Sequence, residues 1–266
     1  MKSQSGIMAC IFRCWRDSSL HPDNKVSIGD LPEEVDIVVL RTKGNEWKSL
    51  HYALESKLIP ELHKKQIKVV RSLHISELLK PDATAEKIFE SFFSSTKGLD
   101  GLDINIEHPL EDDERQRAQV ISDKLRSLLG KDRLFIYDAN EEGDVKLIRS
   151  QVSNMDYLLF QSYGHLPDRV QTKYNRAFEG YVPPSKFVPG FTFYEEGTMR
   201  KYDVMIPFES SYAYQKTKWN PSQGTKGGIF SYAVDRDGVK EGDNALQPTT
   251  FEWTKKLKEL LSRGPN

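Results

Sequence analysis

Cysteine is almost missing from this 266-residue chain, which carries only Cys10 and Cys14. A disulfide-stapled fold is therefore excluded, because such folds need several cysteine pairs in a short sequence. The two thiols stand four positions apart in one apolar run. Along a strand that separation exceeds the roughly 7 Å between Cα atoms that a disulfide tolerates. They read as free core thiols, and with no second cysteine pair and no following histidine cluster no metal site is expected on them. An excess of one charge is missing as well. The 38 basic and 39 acidic side chains leave a formal net charge of -1, which argues against a nucleic-acid or anionic-membrane binder. No apolar run reaches the roughly 20 residues that a membrane span requires. No secretory signal is visible either. The polar start, Met1 to Gly6, leads straight into a strand, which fits a cytosolic beginning and a chain trimmed of its signal equally well. Linkers, low-complexity segments and short repeats are also lacking, so residues 1–266 read as a single domain.

What is present is the composition of a folded soluble protein, 38% hydrophobic and 29% charged, at a length that suits one α/β barrel of about 250 residues. Eight short apolar runs follow one another: Gly6 to Phe12, Val35 to Leu40, Ile67 to Val70, Leu99 to Glu107, Leu134 to Tyr137, Tyr157 to Tyr163, Phe187 to Tyr194 and Gly228 to Val234. Continuous β-branched and aromatic runs of this kind mark strands covered on both faces. Helical patterns lie between them, over Trp47 to Lys65, Asp82 to Ser95 and Glu111 to Leu129, the last stopped by Gly130. Thr249 to Glu252 fits a capping box that opens a final helix to about Ser262. Between the fifth and seventh strands the helical signal is weak, so those helices are expected to be short or replaced by loops. The alternation predicts an α/β fold, a single (β/α)8 TIM barrel.

Residues 100 to 107 read Asp-Gly-Leu-Asp-Ile-Asn-Ile-Glu. Strand alternation puts Asp103, Asn105 and Glu107 on one face and Leu102, Ile104 and Ile106 on the other. The apolar set should meet the helices, and the polar set should point into the barrel. Polar side chains there are costly unless they hydrogen-bond or do chemistry. Glu107 comes last, at the carboxyl end of its strand, where barrel enzymes place catalysis. It is therefore the candidate general acid, with Asp103 and Asn105 below it. A buried ladder that only fixes register, or an oxygen-ligand metal site, would use the same residues.

This segment resembles the DGxDxDxE signature of glycoside hydrolase family 18, matching every fixed position except Asn105. The resemblance implies a (β/α)8 barrel in which Glu107 protonates the glycosidic oxygen. Residue 105 would orient the 2-acetamido group of the substrate as that group attacks the anomeric carbon, and Asp103 would support residue 105. Such substrate assistance departs from the two-carboxylate scheme. The run Phe160-Gln161-Ser162-Tyr163-Gly164 is similar to the Q-x-Y element of the endoglycosidase F and H branch, whose tyrosine contacts the acetamide. Gly227 to Tyr232 is similar to the closing strand of that branch. The resemblance therefore implies an endo-β-N-acetylglucosaminidase that cuts the GlcNAc-β1,4-GlcNAc core of N-glycans by a retaining route. No metal or organic cofactor is implied. The expected partner is an N-glycan or GlcNAc-containing oligosaccharide on a glycoprotein, without nucleic acid, and the protein is expected to be a monomer. A secreted, periplasmic or surface location follows from the family alone.

Glu107, Asn105, Asp103 and Tyr163 are thus the catalytic candidates. Gln161, Asp100, Trp15, Tyr194, Trp219 and Tyr232 are the substrate-binding candidates, the aromatic ones because flat rings stack on sugar faces. His108 is a loop residue that either contacts substrate or faces solvent. An amide at 105 lacks the charge of the family carboxylate, yet it can still accept the acetamide N–H, and the family 85 enzymes resemble a precedent with an Asn–Glu pair. Three readings stay open: a native active enzyme, an Asp→Asn change, and a glycan-binding relative that no longer cuts. A chitinase-like hydrolase is the alternative activity.

Overall fold

The structure, a computed structural model, describes residues 6–197 and 202–263. The polar start at residues 1–5 lies outside the described residues. Eight parallel strands close a barrel in sequence order, with β1 hydrogen-bonded to β8. They are β1 (Ile7–Arg13), β2 (Ile37–Arg41), β3 (Lys68–His74), β4 (Gly101–Ile106), β5 (Leu134–Ala139), β6 (Tyr157–Phe160), β7 (Phe187–Thr192) and β8 (Gly228–Tyr232). Each overlaps one of the eight apolar runs read from the sequence, with ends shifted by a few residues.

The helices are α1 (Glu46–Ala53), α2 (Ile59–Lys64), α3 (Ser76–Leu79), α4 (Ala85–Phe89), α5 (Asp112–Leu129), α6 (Val145–Ser150), α7 (Pro167–Ala177), α8 (Tyr212–Lys218) and α9 (Glu252–Ser262). A π turn over Leu54–Leu58 joins α1 to α2, so the expected single helix carries one widened turn. Helix α5 begins as its acidic start implies: the Glu111 and Glu114 side chains complete a capping box, and Gly130 ends it at φ 67°. The weak middle region holds the six-residue α6 and the eleven-residue α7. Only Val170 and Tyr174 of α7 are buried, which is why its periodicity was faint. The capping box at Thr249 does not form. Phe251 takes a left-handed backbone at φ 55°, and the buried Asp237 accepts from the Trp253 and Thr254 N–H groups instead. Residue 237 is 15 positions upstream of Glu252, so no local pattern could show it.

The barrel has an apolar floor and a polar mouth. Ala9, Ile11, Ile37, Val39, Val70, Ile136, Leu159, Val188 and Phe230 fill the interior, all at most 3% exposed. Phe230 reaches the axis only because residue 190 is glycine: a Cβ there would lie 2.4 Å from its ring. Outside, Leu102, Ile104 and Ile106 of β4 pack with Ala118, Ile121 and Leu125 of α5. That outward register turns Asp103 and Asn105 into the barrel, as the alternation requires. Cys10 and Cys14 are buried free thiols of the outer core. Among the described residues no helix is long and apolar enough to cross a membrane.

Candidate active site

Strand β4 ends at Ile106, so Glu107 is the first residue beyond it rather than its last. It stands half-buried at the mouth. Its Oε1 accepts from Gln161 Nε2 at 3.1 Å. Gln161 likewise lies just past its strand, but its N–H still reaches the Ala139 carbonyl at 2.8 Å. The ladder is thereby extended by one residue and the side chain points inward. The same Nε2 lies 3.3 Å from Asn105 Oδ1 and 3.0 Å from Asp138 Oδ1. A carboxamide nitrogen has two hydrogens, and here it meets three acceptors. One acceptor is always left for another donor, and the longest contact, Asn105 Oδ1, is the one most readily released.

Below this hub sits a buried charge cluster. Asp103 and Asp138 are both 0% exposed. Arg41 Nη2 bonds Asp138 Oδ2 and stands 3.8 Å from Asp103 Oδ2, which also accepts from Ser72 Oγ at 2.6 Å. Asp103 Oδ1 has no hydrogen-bond partner among the described residues. Burial, and then the neighbouring Asp138 charge, push the Asp103 carboxyl up to about 8. Burial raises Asp138 also. The hydrogen bonds decide where the shared proton sits. Asp138 receives donors on both oxygens, one of them cationic, so it holds the charge. Asp103 keeps the proton.

A carboxyl raised in the folded state takes up a proton on folding. Its contribution is full below the unfolded value near 4 and is lost as pH rises through about 8. The thermal midpoint of the protein should therefore fall between pH 5 and pH 9, and Asp103→Asn should flatten that slope. Parallel slopes for the two proteins in scanning calorimetry would contradict the assignment.

A cavity of about 300 Å³ opens over the cluster, lined by Arg41, Glu107, Asn140, Gln161, Tyr163, Thr192, Glu195 and Tyr232. Tyr163 packs its ring against Phe230 and Tyr232, each with centroids 6.0 Å away. Burial first, and the Asp138 charge second, raise its phenol well above the ordinary value, so it stays protonated and can donate. Tyr232 Oη donates to Glu195 Oε1 at 3.0 Å, and Glu195 in turn accepts from Arg13 Nη1 at 3.2 Å. Arg13 is 1% exposed and is pinned by Asp235 below and Glu196 beside it.

The structure thus gathers Asp103, Asn105, Glu107, Gln161, Tyr163 and Tyr232 at one mouth. Other candidates fall elsewhere. Asp100 precedes β4 at the opposite end of the barrel, where it accepts from the Val69 N–H at 2.8 Å and pairs with His63 and Lys68. It opens the motif in sequence but closes the floor in space, because six strand residues separate it from Glu107. Trp219 ends α8, a helix that returns the chain to the floor, and it packs on the outer core. Tyr194 turns outward, 4% exposed, into the layer between barrel and helices. Trp15 stays near the mouth, in a turn after β1, with Lys43 Nζ 4.2 Å from its ring centroid, but outside the cavity lining. His108 stacks on His74 with centroids 5.7 Å apart beside Glu107. Arg41, Ser72, Asp138 and Glu195 were not foreseen. Continuing the inward alternation past each apolar run, from Val39 to Arg41, Val70 to Ser72 and Ile136 to Asp138, would have found the first three.

Residues 10–231 match the family model described as the endo-beta-N-acetylglucosaminidase EndoS TIM-barrel domain. The chain is 29% identical to endo-beta-N-acetylglucosaminidase F2 of Elizabethkingia meningoseptica, over 98% of this chain and 83% of that protein. It is 32% identical to an endo-beta-N-acetylglucosaminidase of Bifidobacterium longum subsp. infantis, over 92% of this chain and 52% of that protein, about half its length. The crystal structure of the Cordyceps militaris endo-beta-N-acetylglucosaminidase superposes with a TM-score of 0.89 at 37% identity, covering 97% of this chain and 91% of that one. A mutant of that enzyme with one Asp→Asn and one Glu→Gln change, solved in complex with fucosyl-N-acetylglucosamine-Asn, gives 0.90. Its two changes lie two positions apart, the spacing of Asn105 and Glu107 here.

Proposed function

The chain belongs to the endo-β-N-acetylglucosaminidase family of the EndoS TIM-barrel type, and from that premise we propose that it hydrolyses the GlcNAc-β1,4-GlcNAc core of N-glycans with substrate assistance. The observation that carries this reading is the convergence of Glu107, Gln161 and Tyr163 on one cavity at the carboxyl end of the barrel, with Asn105 Oδ1 3.3 Å from the Gln161 Nε2 that also reaches Glu107. Glu107 gives its proton to the oxygen leaving the anomeric carbon. The acetamide carbonyl oxygen of the same sugar attacks that carbon from the other face, closing an oxazolinium ring. Asn105 Oδ1, the acceptor that Gln161 can release, takes the acetamide N–H and holds the carbonyl in line. Tyr163, kept protonated, donates toward the acetamide oxygen. Glu107, now a carboxylate, removes a proton from the water that opens the ring. Two inversions leave the β configuration.

Tyr232, its hydroxyl fixed by Glu195, flanks the reacting sugar, and Trp15 meets a more distant one. The protein acts as a monomer on glycans exposed outside the cell. If Tyr163 acts on the acetamide as described, Tyr163→Phe should lower kcat about ten- to a hundredfold with little change in KM. A raised KM with kcat unchanged would assign the hydroxyl to simple sugar binding.

The reading is tested by incubating the protein with an N-glycosylated glycoprotein and weighing both products. Release of glycan that leaves one N-acetylglucosamine on asparagine is the expected result. Cleavage of chitooligosaccharides in preference to the glycoprotein would make the protein a chitinase-like hydrolase. Binding without turnover on either substrate would make it a lectin.

A further inference from the structure

Residue 105 is an amide and Asp103, the acidic residue of β4, lies outside the direct bond that Arg41 makes to Asp138, so the carboxylate acting beside Glu107 is sought on another strand. Asp138 stands directly across the β4–β5 ladder, with its Cα paired to that of Asn105. Adjacent strands lie about 4.8 Å apart, so a carboxylate on β5 is displaced by about one strand spacing from one on β4. Asp138 is 0% exposed, bonds Arg41 through Oδ2, and accepts from Gln161 Nε2 at 3.0 Å through Oδ1. That same nitrogen reaches Asn105 and Glu107. The charged and titratable groups facing it are Arg41 on β2, Asp103 on β4, Glu107 after β4 and Tyr163 after β6.

Resting on the reading of this mouth as a substrate-assisted site, we infer that Asp138 is the positioning residue that supplies the fixed negative charge residue 105 lacks. Charge is conserved in the step with or without such a group, so its effect lies in the field that the nascent cation meets. Before reaction, protonated Glu107 is neutral and Asp138 cancels Arg41. As the acetamide oxygen–carbon bond forms and the glycosidic bond breaks, the proton of Glu107 leaves with the departing oxygen. The cavity then holds an oxazolinium cation, the Glu107 carboxylate, Arg41 and Asp138, again summing to zero. Without the Asp138 charge, the Arg41 guanidinium, which lines the same cavity, would repel the cation. Asp138 also fixes Gln161, and through it the orientation of Asn105.

The test compares the parent chain with Asp138→Asn, Asn105→Asp and the double variant Asn105→Asp/Asp138→Asn. Readouts are kcat and KM on a glycopeptide and affinity for the thiazoline analogue of cyclised N-acetylglucosamine. Asp138→Asn should lower kcat about a hundredfold, as loss of a preorganised electrostatic group does, and weaken thiazoline binding at least tenfold, with KM near that of the parent. The double variant, which moves the carboxylate back across the ladder, should recover at least tenfold of that kcat. Asn105→Asp alone serves as the reference against which the double variant is read. The inference is overturned if Asp138→Asn keeps kcat within threefold, or if the double variant recovers nothing while melting like the parent, since a purely scaffolding aspartate is not replaced from another strand. A parent chain that never cuts the glycopeptide but binds thiazoline in an Asp138-dependent way would refute the proposed hydrolysis and leave the charge assignment standing.

Discussion

Glu107→Gln should abolish hydrolysis to below about one thousandth of the parent rate while leaving the thermal midpoint almost unchanged. The size follows from the two duties assigned to one group. As acid it protonates the departing oxygen, and as base it activates water, and each general acid or base step commonly contributes about 10²- to 10⁴-fold. The amide keeps the shape and still accepts from Gln161 Nε2, now at 3.1 Å from Glu107 Oε1. Little packing is at stake, because Glu107 is half-buried beyond the end of β4. The measurement is kcat on a fluorescent glycopeptide together with a melt of both proteins. A variant that folds and retains more than a tenth of the parent rate would remove Glu107 from the mechanism.

The largest effect on stability is expected away from the chemistry, at Lys216. Its side chain and that of Asp203 are both 0% exposed, and they pair at 3.0 Å. Lys216 Nζ also donates to the Ser162 carbonyl at 2.9 Å and the Gly190 carbonyl at 2.8 Å. Asp203 Oδ2 accepts from Gly164 N at 2.9 Å and Thr192 N at 3.0 Å. One buried ion pair therefore ties α8 to the tops of β6 and β7, next to Tyr163. Removing one partner of such a pair leaves an uncompensated buried charge, which costs about 3–5 kcal/mol. Lys216→Met should lose that much in urea unfolding, and its midpoint should fall by roughly 10 °C, given about 2–4 °C per kcal/mol for a chain of this size. Adding Asp203→Asn should return part of the loss, since the stranded charge is then gone. A single variant within 1 kcal/mol of the parent would show that the lysine is not holding this corner.

Much of this was legible in the sequence because a parallel barrel buries its strands on both faces. Each strand becomes a continuous apolar run, and a polar row inside one of them, Asp103 to Glu107, stands out against its surroundings. The same physics explains what was missed. Arg41, Ser72 and Asp138 are single polar residues at the ends of apolar runs, where a strand looks as if it has stopped. Only the pairing of β2 with β3, and of β3 and β5 with β4, in a curved barrel wall turns three isolated residues into one charge cluster. Asp100 failed for the converse reason: adjacency in a motif is not adjacency in a strand 6 residues long, whose two ends face opposite sides of the molecule. Tyr194 and Trp219 failed because an aromatic residue near a strand end can face the helices as readily as the mouth.

Attack by the acetamide of the substrate over Asn105 and Glu107 leaves a stereochemical signature in the product. Proton NMR of the glycan released from a glycopeptide, recorded within the first minutes of reaction, reads this through the anomeric signal. The β anomer should appear first and mutarotate toward equilibrium, as two inversions at one carbon require. First appearance of the α anomer would mean that water attacks directly, and the substrate-assisted site described here would be wrong.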